Sequence, residues 1–182
     1  MDQLRAIVES VKLAVANSNW YAALALALTM PDICGKIDNP NLGSQARYAA
    51  WFDTYIGPKY RRPVLGQEHI FMAGTDCYAL RCSFLHEGGE HAEGRAQAVR
   101  AALDRFHFVA PKDGNCVHMN QFGSVLQLQV DTFCMQLAGA MDYWLQRPET
   151  TQALATNPPQ ILTIYSLDQS VWDPSQKIVL PA

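Results

Sequence analysis

The hydrophobic positions of the chain follow a helical period over most of its length. Within segment 3–16, Leu4 and Val8 share one face of a helix with the valines that follow. Segment 20–30 is apolar on nearly every side, which is typical of a helix at the centre of a bundle. The same period predicts further helices over 44–56, 77–86, 95–105 and 127–146.

Two short segments have a different period. Residues 106–110 and 116–120 read as strands, and the Asp113-Gly114 pair between them is a strong hairpin signal. The pattern therefore predicts a mainly α fold, a helical bundle with a β-hairpin at about 106–120 before the last long helix.

Proline and glycine predict where the helices end. Pro31 and Pro148 each follow a helical segment, and a non-helical tail is expected over 149–182. We predict loops at 32–43 and 57–74, and short strands in the tail at 161–165 and 177–180. The chain, 1–182, is then a single helical domain with an extended C-terminal tail.

Size and composition exclude several classes of protein. A chain of 182 residues is long enough for one buried core. Hydrophobic residues make up 49% and charged residues 17%, which excludes a disordered chain. No run of 18 apolar residues occurs, so no membrane span is expected. The net charge of −3 does not indicate nucleic-acid binding, although a local basic patch is compatible with it.

The cysteines and the first residues suggest a compartment. The five cysteines are odd in number and form no CxxC pair, which argues against a disulfide framework and against a zinc finger. The opening residues, MDQLRAIVES, lack the apolar core of a signal peptide. We therefore expect reduced, mostly buried thiols and a cytoplasmic location.

One helix carries an arginine and a histidine that are separated by four residues. Three pairs in the chain have an Arg followed by four to six residues and a His: Arg62–His69, Arg81–His86 and Arg100–His107. Only Arg81 and His86 are predicted to share a single helix, with glycines directly beyond it. This pair is therefore the strongest candidate for a functional site.

The segment ALRCSFLHEGG around this pair resembles the motif helix of the HEPN superfamily. The resemblance covers this helix well and the remainder only as a helical bundle of suitable size. It implies a metal-independent endoribonuclease, of a toxin or phage-defence type, that needs no cofactor and works as a homodimer in which two motifs line one cleft. Cys82 departs from the family pattern, because active members often carry Asn, Asp or His after the arginine.

The chemistry of the pair suits RNA cleavage. A 2′-hydroxyl that attacks the adjacent phosphate needs a group that transfers protons near neutral pH, which is the role expected for His86. The charged phosphate needs a fixed cation, which is the role expected for Arg81. Five residues of an ideal helix rotate the side chains to about 140° apart, so one motif is expected to close poorly on itself.

A second candidate is the run Lys59-Tyr60-Arg61-Arg62 in a predicted loop. Its cations suit phosphate contacts, and its aromatic ring suits stacking on a base of single-stranded RNA. A solvated surface run is the plain alternative. We predict RNA binding here, particularly if the run lies near the Arg81–His86 helix.

Other interpretations remain open. The chain is either a nuclease, a non-catalytic HEPN-like module that binds RNA or a protein partner, or a helical protein with an accidental motif. An accidental motif predicts Arg81 in a lone surface ion pair. The segment from His86 to His91 is rich in histidine and glutamate but flexible, so we predict a solvated acidic loop there and no metal site.

Overall fold

The computed structural model describes residues 2–89, 102–156, 158–159 and 161–162. Its helices and strands follow the chain in this order: α1 (Asp2–Ala16), α2 (Trp20–Asp38), α3 (Ser44–Tyr55), a short 3₁₀ helix (Gly57–Tyr60), β1 (Arg61–Val64), β2 (Gln67–Ile70), α4 (Gly74–Glu87), β3 (Arg105–Val109), β4 (Asn120–Phe122), β5 (Val125–Gln129), α5 (Val130–Leu145) and α6 (Pro148–Thr156).

The fold is mainly helical, with a β-hairpin before the last long helix, as the sequence predicts. Helix α2 packs against α1, α3 and α5, and α3 packs against α4. Among the described residues, no helix combines the length and the apolar character that a membrane span requires.

The hairpin forms between strands other than those predicted. Strand β4 pairs antiparallel with β5, and β3 pairs parallel with β5, so β5 is the central strand. The Asp113-Gly114 turn does form, because both residues have positive φ and Asn115 bonds back to Lys112, but no ladder extends from it. Leu126 and Leu128, two residues apart in β5, are both buried. Because one face of β5 is buried, packing rather than the turn fixes its pairing.

Pro31 does not end helix α2, contrary to the prediction. The helix continues to Asp38 although proline removes one hydrogen bond and costs about 3 kcal/mol in a helix interior. Its second half is held by packing, since Cys34 and Gly35 are buried. A Cβ on Gly35 would lie 2.5 Å from the carbonyl oxygen of Arg47, so the α2 and α3 backbones are in direct contact.

Three other expectations change. Segment 57–74, predicted as a loop, contains the hairpin of β1 and β2. Helix α5 begins at Val130 rather than at 127, because the residues before it form β5. Pro148 is the first residue of α6, a helix within the expected tail. Most of the predicted helix 95–105 lies outside the described residues, and its last residues lead into β3. The predicted strand 177–180 also lies outside them, and of 161–165 only 161–162 are described, without strand structure.

Aromatic side chains of α3 fill the core. Tyr48, Trp51 and Phe52 are buried. The Tyr48 hydroxyl lies 3.2 Å from the carbonyl oxygen of Leu28 and 3.3 Å from Cys77 Sγ, so it joins α2, α3 and α4. Together these contacts fix the position of α4, which carries the Arg–His motif.

Candidate functional site

Helix α4 is fixed at its first turn by a buried carboxylate. Asp76 Oδ2 accepts a hydrogen bond from the backbone N–H of Ala73 at 2.7 Å. Its Oδ1 accepts two more, from Ala102 at 2.6 Å and Leu103 at 2.9 Å. Asp76 is 2% exposed. This carboxylate therefore has a structural role: it satisfies the helix start and ties the segment before β3 to it.

The other end of α4 stops at two glycines, as the sequence predicts. Gly88 has φ of 68°, a left-handed conformation that glycine adopts without strain. The N–H groups of Gly88 and Gly89 bond to the carbonyl oxygens of Phe84 and Ser83. His86 thus lies in the last turn of the helix, where its side chain is exposed.

Arg81 and His86 are in contact within one chain. Arg81 Nη1 lies 3.2 Å from His86 Nε2. The expectation that one motif closes poorly on itself is wrong, because the long arginine side chain spans the rotation between the two positions. Arginine has donors only, so His86 Nε2 is the acceptor and carries no proton in this arrangement.

An acidic residue of α2 holds the arginine from the other side. Asp32 Oδ2 lies 2.8 Å from Arg81 Nε, an ionic contact that lacks the alignment of a hydrogen bond, and the two side chains are only 16% and 22% exposed. Burial lowers the pKa of the Arg81 guanidinium, but the charge of Asp32 and the contact with Cys82 raise it, and the net shift is upward. The cation is therefore permanent. The ion pair is mostly shielded from solvent and shared with His86, unlike the lone surface pair that an accidental motif predicts.

The sequence pattern does not identify Asp32, because it predicts that α2 ends at Pro31 and that Asp32 lies in a loop. With the helix continuous, Asp32 and Lys36 are one turn apart on the same face. An acid and a base at this spacing are the signal that would have drawn attention to this part of α2.

A cleft of about 670 Å³ lies beside the ion pair. Residues that line it include the charged Asp32, Lys36 and Arg47 and the apolar Ile33, Ile37 and Leu162. Its volume is in the range of small-molecule binding sites. Because Asp32 both lines the cleft and contacts Arg81, the cleft adjoins the Arg–His motif.

The basic run is at the opposite end of α4. It leads into the β1–β2 hairpin, which ends shortly before Gly74, whereas His86 lies about 18 Å further along the helix axis. Lys59, Arg61 and Arg62 are exposed. Because of this distance, the basic run is not part of the Arg–His site.

Tyr60 does not fit the predicted stacking role. Its ring is fully buried, and its hydroxyl lies 3.4 Å from His118 Nε2. His118 is half-buried, and its Nδ1 accepts a hydrogen bond from the backbone N–H of Gln129 at 3.3 Å. The aromatic residue of the run therefore belongs to the core.

Arg62 and His69, the second Arg–His match in the sequence, face each other across the β1–β2 hairpin. The segment that contains them, 57–74, is predicted as a loop. His69 Nε2 lies 2.7 Å from Gln121 Oε1, so the histidine joins this hairpin to the other sheet. His69 therefore offers a control for experiments on His86.

The cysteines are free thiols, and four of the five are buried: Cys34, Cys77, Cys82 and Cys134. Cys82 Sγ lies 4.0 Å from Arg81 Nη1. Within the described residues, no three side chains of the metal-binding types converge. Of the segment from His86 to His91, the first two residues end α4 and the two glycines follow it, while Glu90 and His91 lie outside the described residues.

Comparison with known proteins gives no match to a family model, to a curated protein or to a solved structure. The functional assignment therefore rests on the geometry around Arg81 and on the resemblance of its helix to the HEPN motif.

Proposed function

We propose that this protein is a metal-independent endoribonuclease of the HEPN type. The observation that carries the proposal is the contact between Arg81 and His86 at 3.2 Å, with Asp32 bound to the far side of the guanidinium. A permanent cation beside an unprotonated imidazole nitrogen provides both groups that RNA cleavage needs.

The reaction follows from these two side chains. The guanidinium binds the scissile phosphate through its Nη groups, while Asp32 keeps Nε in place. The bound phosphate attracts the Arg81 guanidinium, so its contact with His86 opens. The free Nε2 of His86 then accepts the proton of the 2′-hydroxyl. The 2′-oxygen bonds to phosphorus, the bond to the 5′-oxygen breaks, and that oxygen leaves with a proton. The products are a cyclic 2′,3′-phosphate and a 5′-hydroxyl.

A homodimer completes this scheme. The HEPN resemblance implies that two motifs line one cleft. One histidine, in its neutral form, then accepts the proton of the nucleophile. The second, released from its arginine and in its protonated form, gives a proton to the leaving oxygen, so that the pair exchanges its protonation states in one cleavage. Toxin or phage-defence roles belong to the same proposal, as do a cytoplasmic location and the absence of a cofactor.

The test is cleavage of a labelled RNA pool in the presence of EDTA. We expect wild type to leave cyclic-phosphate ends, and His86→Ala to lower the rate by about 10²–10⁴-fold. Arg81→Lys keeps the charge but loses the two-pronged geometry, so its rate falls as well. Size-exclusion chromatography beforehand establishes that all the proteins share one oligomeric state, which we expect to be a dimer.

Arg5→Lys and His69→Ala provide matched controls, because they change the same residue types on α1 and on the β1–β2 hairpin, away from the Arg–His motif. Neither variant lowers kcat if the site is at Arg81 and His86. A loss of activity equal to that of the motif variants, or cleavage that EDTA abolishes, contradicts the proposal.

The second candidate is a non-catalytic HEPN-like module that binds RNA or a protein partner. Two observations favour it: Cys82 follows Arg81, and Lys59, Arg61 and Arg62 are exposed on the hairpin far from the motif. RNA binding without cleavage by a stable dimer, weakened by changes to these three residues, supports this module. Cleavage that depends on His86 contradicts it.

A further inference from the structure

We propose that the cleft beside Asp32, which α2, Arg47 of α3 and residues 158–159 and 161–162 line, binds the nucleotides that flank the scissile phosphate of single-stranded RNA. Lys36 and Arg47 contact phosphate, and the apolar wall contacts a base or a ribose. This inference rests on the proposed ribonuclease function, since it names the surface that holds the substrate of that site.

The charges of the cleft favour an anion. Asp32 is already paired with Arg81, so its carboxylate does not neutralise the cleft cations. Lys36 Nζ donates to the carbonyl oxygen of Pro40 at 3.1 Å, and Arg47 Nη1 lies 3.5 Å from that of Leu42. In the described part of the chain neither cation pairs with a carboxylate. The cleft is therefore locally basic in a chain whose net charge is −3.

The side chain of Arg47 gives a more specific reason to expect an anion in the cleft. Its Nε is shielded from solvent and has no hydrogen-bond acceptor among the described residues. Its Nη1 reaches the carbonyl oxygen of Leu42 only at 3.5 Å, so the guanidinium has donors left for an anionic acceptor in the cleft. The backbone of Arg47 is held against Gly35, so the start of this side chain is fixed relative to α2.

Size and lining favour a nucleotide over a bare phosphate. A cleft of about 670 Å³ is much larger than one phosphate group, and isoleucine and proline side chains make up much of its wall. Such a surface suits the apolar face of a base, while the two cations suit the phosphates on either side of it.

The position of the cleft suits a strand that passes Arg81. Lys36 lies one helical turn after Asp32, about 5–6 Å away, and Asp32 contacts Arg81. A strand whose scissile phosphate is bound by Arg81 therefore reaches Lys36 within a short length of backbone. The hairpin cations, by contrast, begin at the far end of α4.

The test measures binding separately from cleavage. A short, fluorescently labelled RNA with 2′-O-methyl groups lacks the nucleophile and stays intact, so its Kd can be measured by anisotropy at several salt concentrations. We expect Lys36→Gln and Arg47→Gln each to weaken binding by about 3–10-fold and to reduce the slope of log K against log salt by about 0.7. Lys112→Gln, at an exposed turn, is the matched control.

The outcomes distinguish this inference from the proposed function. If wild type cleaves RNA but the cleft variants bind like Lys112→Gln, the cleft inference is wrong and the nuclease stands. If binding depends on Lys36 and Arg47 but no RNA is cleaved, the nuclease is wrong and the cleft stands as an RNA site. Inorganic polyphosphate that binds as tightly, with the same dependence on both residues, overturns the nucleotide assignment, because polyphosphate offers no base.

Discussion

The Oδ2 atom of Asp32 lies 2.8 Å from the Nε atom of Arg81, which joins the middle of α2 to the second half of α4. Arg81 in turn reaches His86 with Nη1. The three side chains lie in a row of carboxylate, guanidinium and imidazole, and the guanidinium contacts a partner on each side. Such a fixed cation is what a phosphate-binding site requires.

Removing one partner of this ion pair should destabilise the protein. Asp32→Ala leaves the Arg81 cation mostly buried without its carboxylate, so we expect the free energy of unfolding to fall by about 1–3 kcal/mol. Urea unfolding of wild type, both single variants and the Asp32→Ala/Arg81→Ala double variant measures the coupling. Strictly additive effects of the two changes would show that the pair makes no net contribution.

The close approach of α2 and α3 gives a second prediction. Gly35→Ala places a Cβ 2.5 Å from the carbonyl oxygen of Arg47, so we expect a loss of about 1–3 kcal/mol in stability. Gly139→Ala is the control, because Gly139 also lies inside a helix but has open space around it. This control should gain up to about 1 kcal/mol from helix propensity. Equal effects of the two substitutions would contradict the observed helix contact.

Stability should depend on pH through His118. Burial lowers the pKa of this imidazole below its ordinary value of 6.5, although contacts with Gln136 and Asp131 oppose the shift. The folded protein thus holds the neutral form, whereas the unfolded chain binds a proton as the pH falls below about 6.5. The free energy of unfolding therefore decreases with falling pH from that point.

His118→Asn removes this titration. The difference in unfolding free energy between wild type and variant should be constant above about pH 7 and should shrink as the pH falls towards 5. Thermal or urea unfolding across this range measures it. A difference that stays constant over the whole range would contradict the burial of the imidazole.

The tip of the β1–β2 hairpin carries a leucine in an unfavourable conformation. Leu65 is fully exposed and has φ of 51°, and Gly66 follows with φ of 80°. Asparagine tolerates this region better than leucine, and Asn-Gly is a preferred two-residue turn. Leu65→Asn should therefore raise the unfolding free energy by about 0.5–1 kcal/mol. Leu65→Ala keeps the unfavourable φ and should change little; a gain equal to that of the asparagine variant would argue against strain at this turn.

The thiols should differ in reactivity. Cys116 is exposed, whereas the other four are buried. Burial raises the pKa of Cys34 well above its ordinary value and that of Cys134 to about 12. One thiol should therefore react quickly with Ellman's reagent in the native protein and five after unfolding. Cys116→Ser should abolish the fast phase; a second fast thiol would place another cysteine at the surface.

Local patterns in the sequence predicted much of this fold. Apolar spacing predicted the helices at 3–16 and 44–56, and the glycines after His86 marked the end of α4. These features depend on residues within one or two turns of each other, so periodicity and capping rules are sufficient for them. The candidate pair Arg81 and His86 was found in the same way, because both residues lie on one helix.

Other features depend on residues far apart in the chain. Helix α2 continues through Pro31 because its second half is buried against α3, a gain that local propensity does not include. Burial of Leu126 and Leu128, rather than the nearest turn signal, determines which strands pair with β5. The basic residues around Tyr60 predict a stacking role for its ring, whereas tertiary packing buries the ring in the core.

The residue types, their local periods and the Arg–His spacing were available from the sequence alone, because each is a property of neighbouring positions. Tertiary structure decided that Asp32 holds Arg81 and that Lys36 and Arg47 share a cleft beside it. Such contacts arise where separate helices pack together, and helix packing depends on the shapes of whole buried surfaces rather than on any single segment.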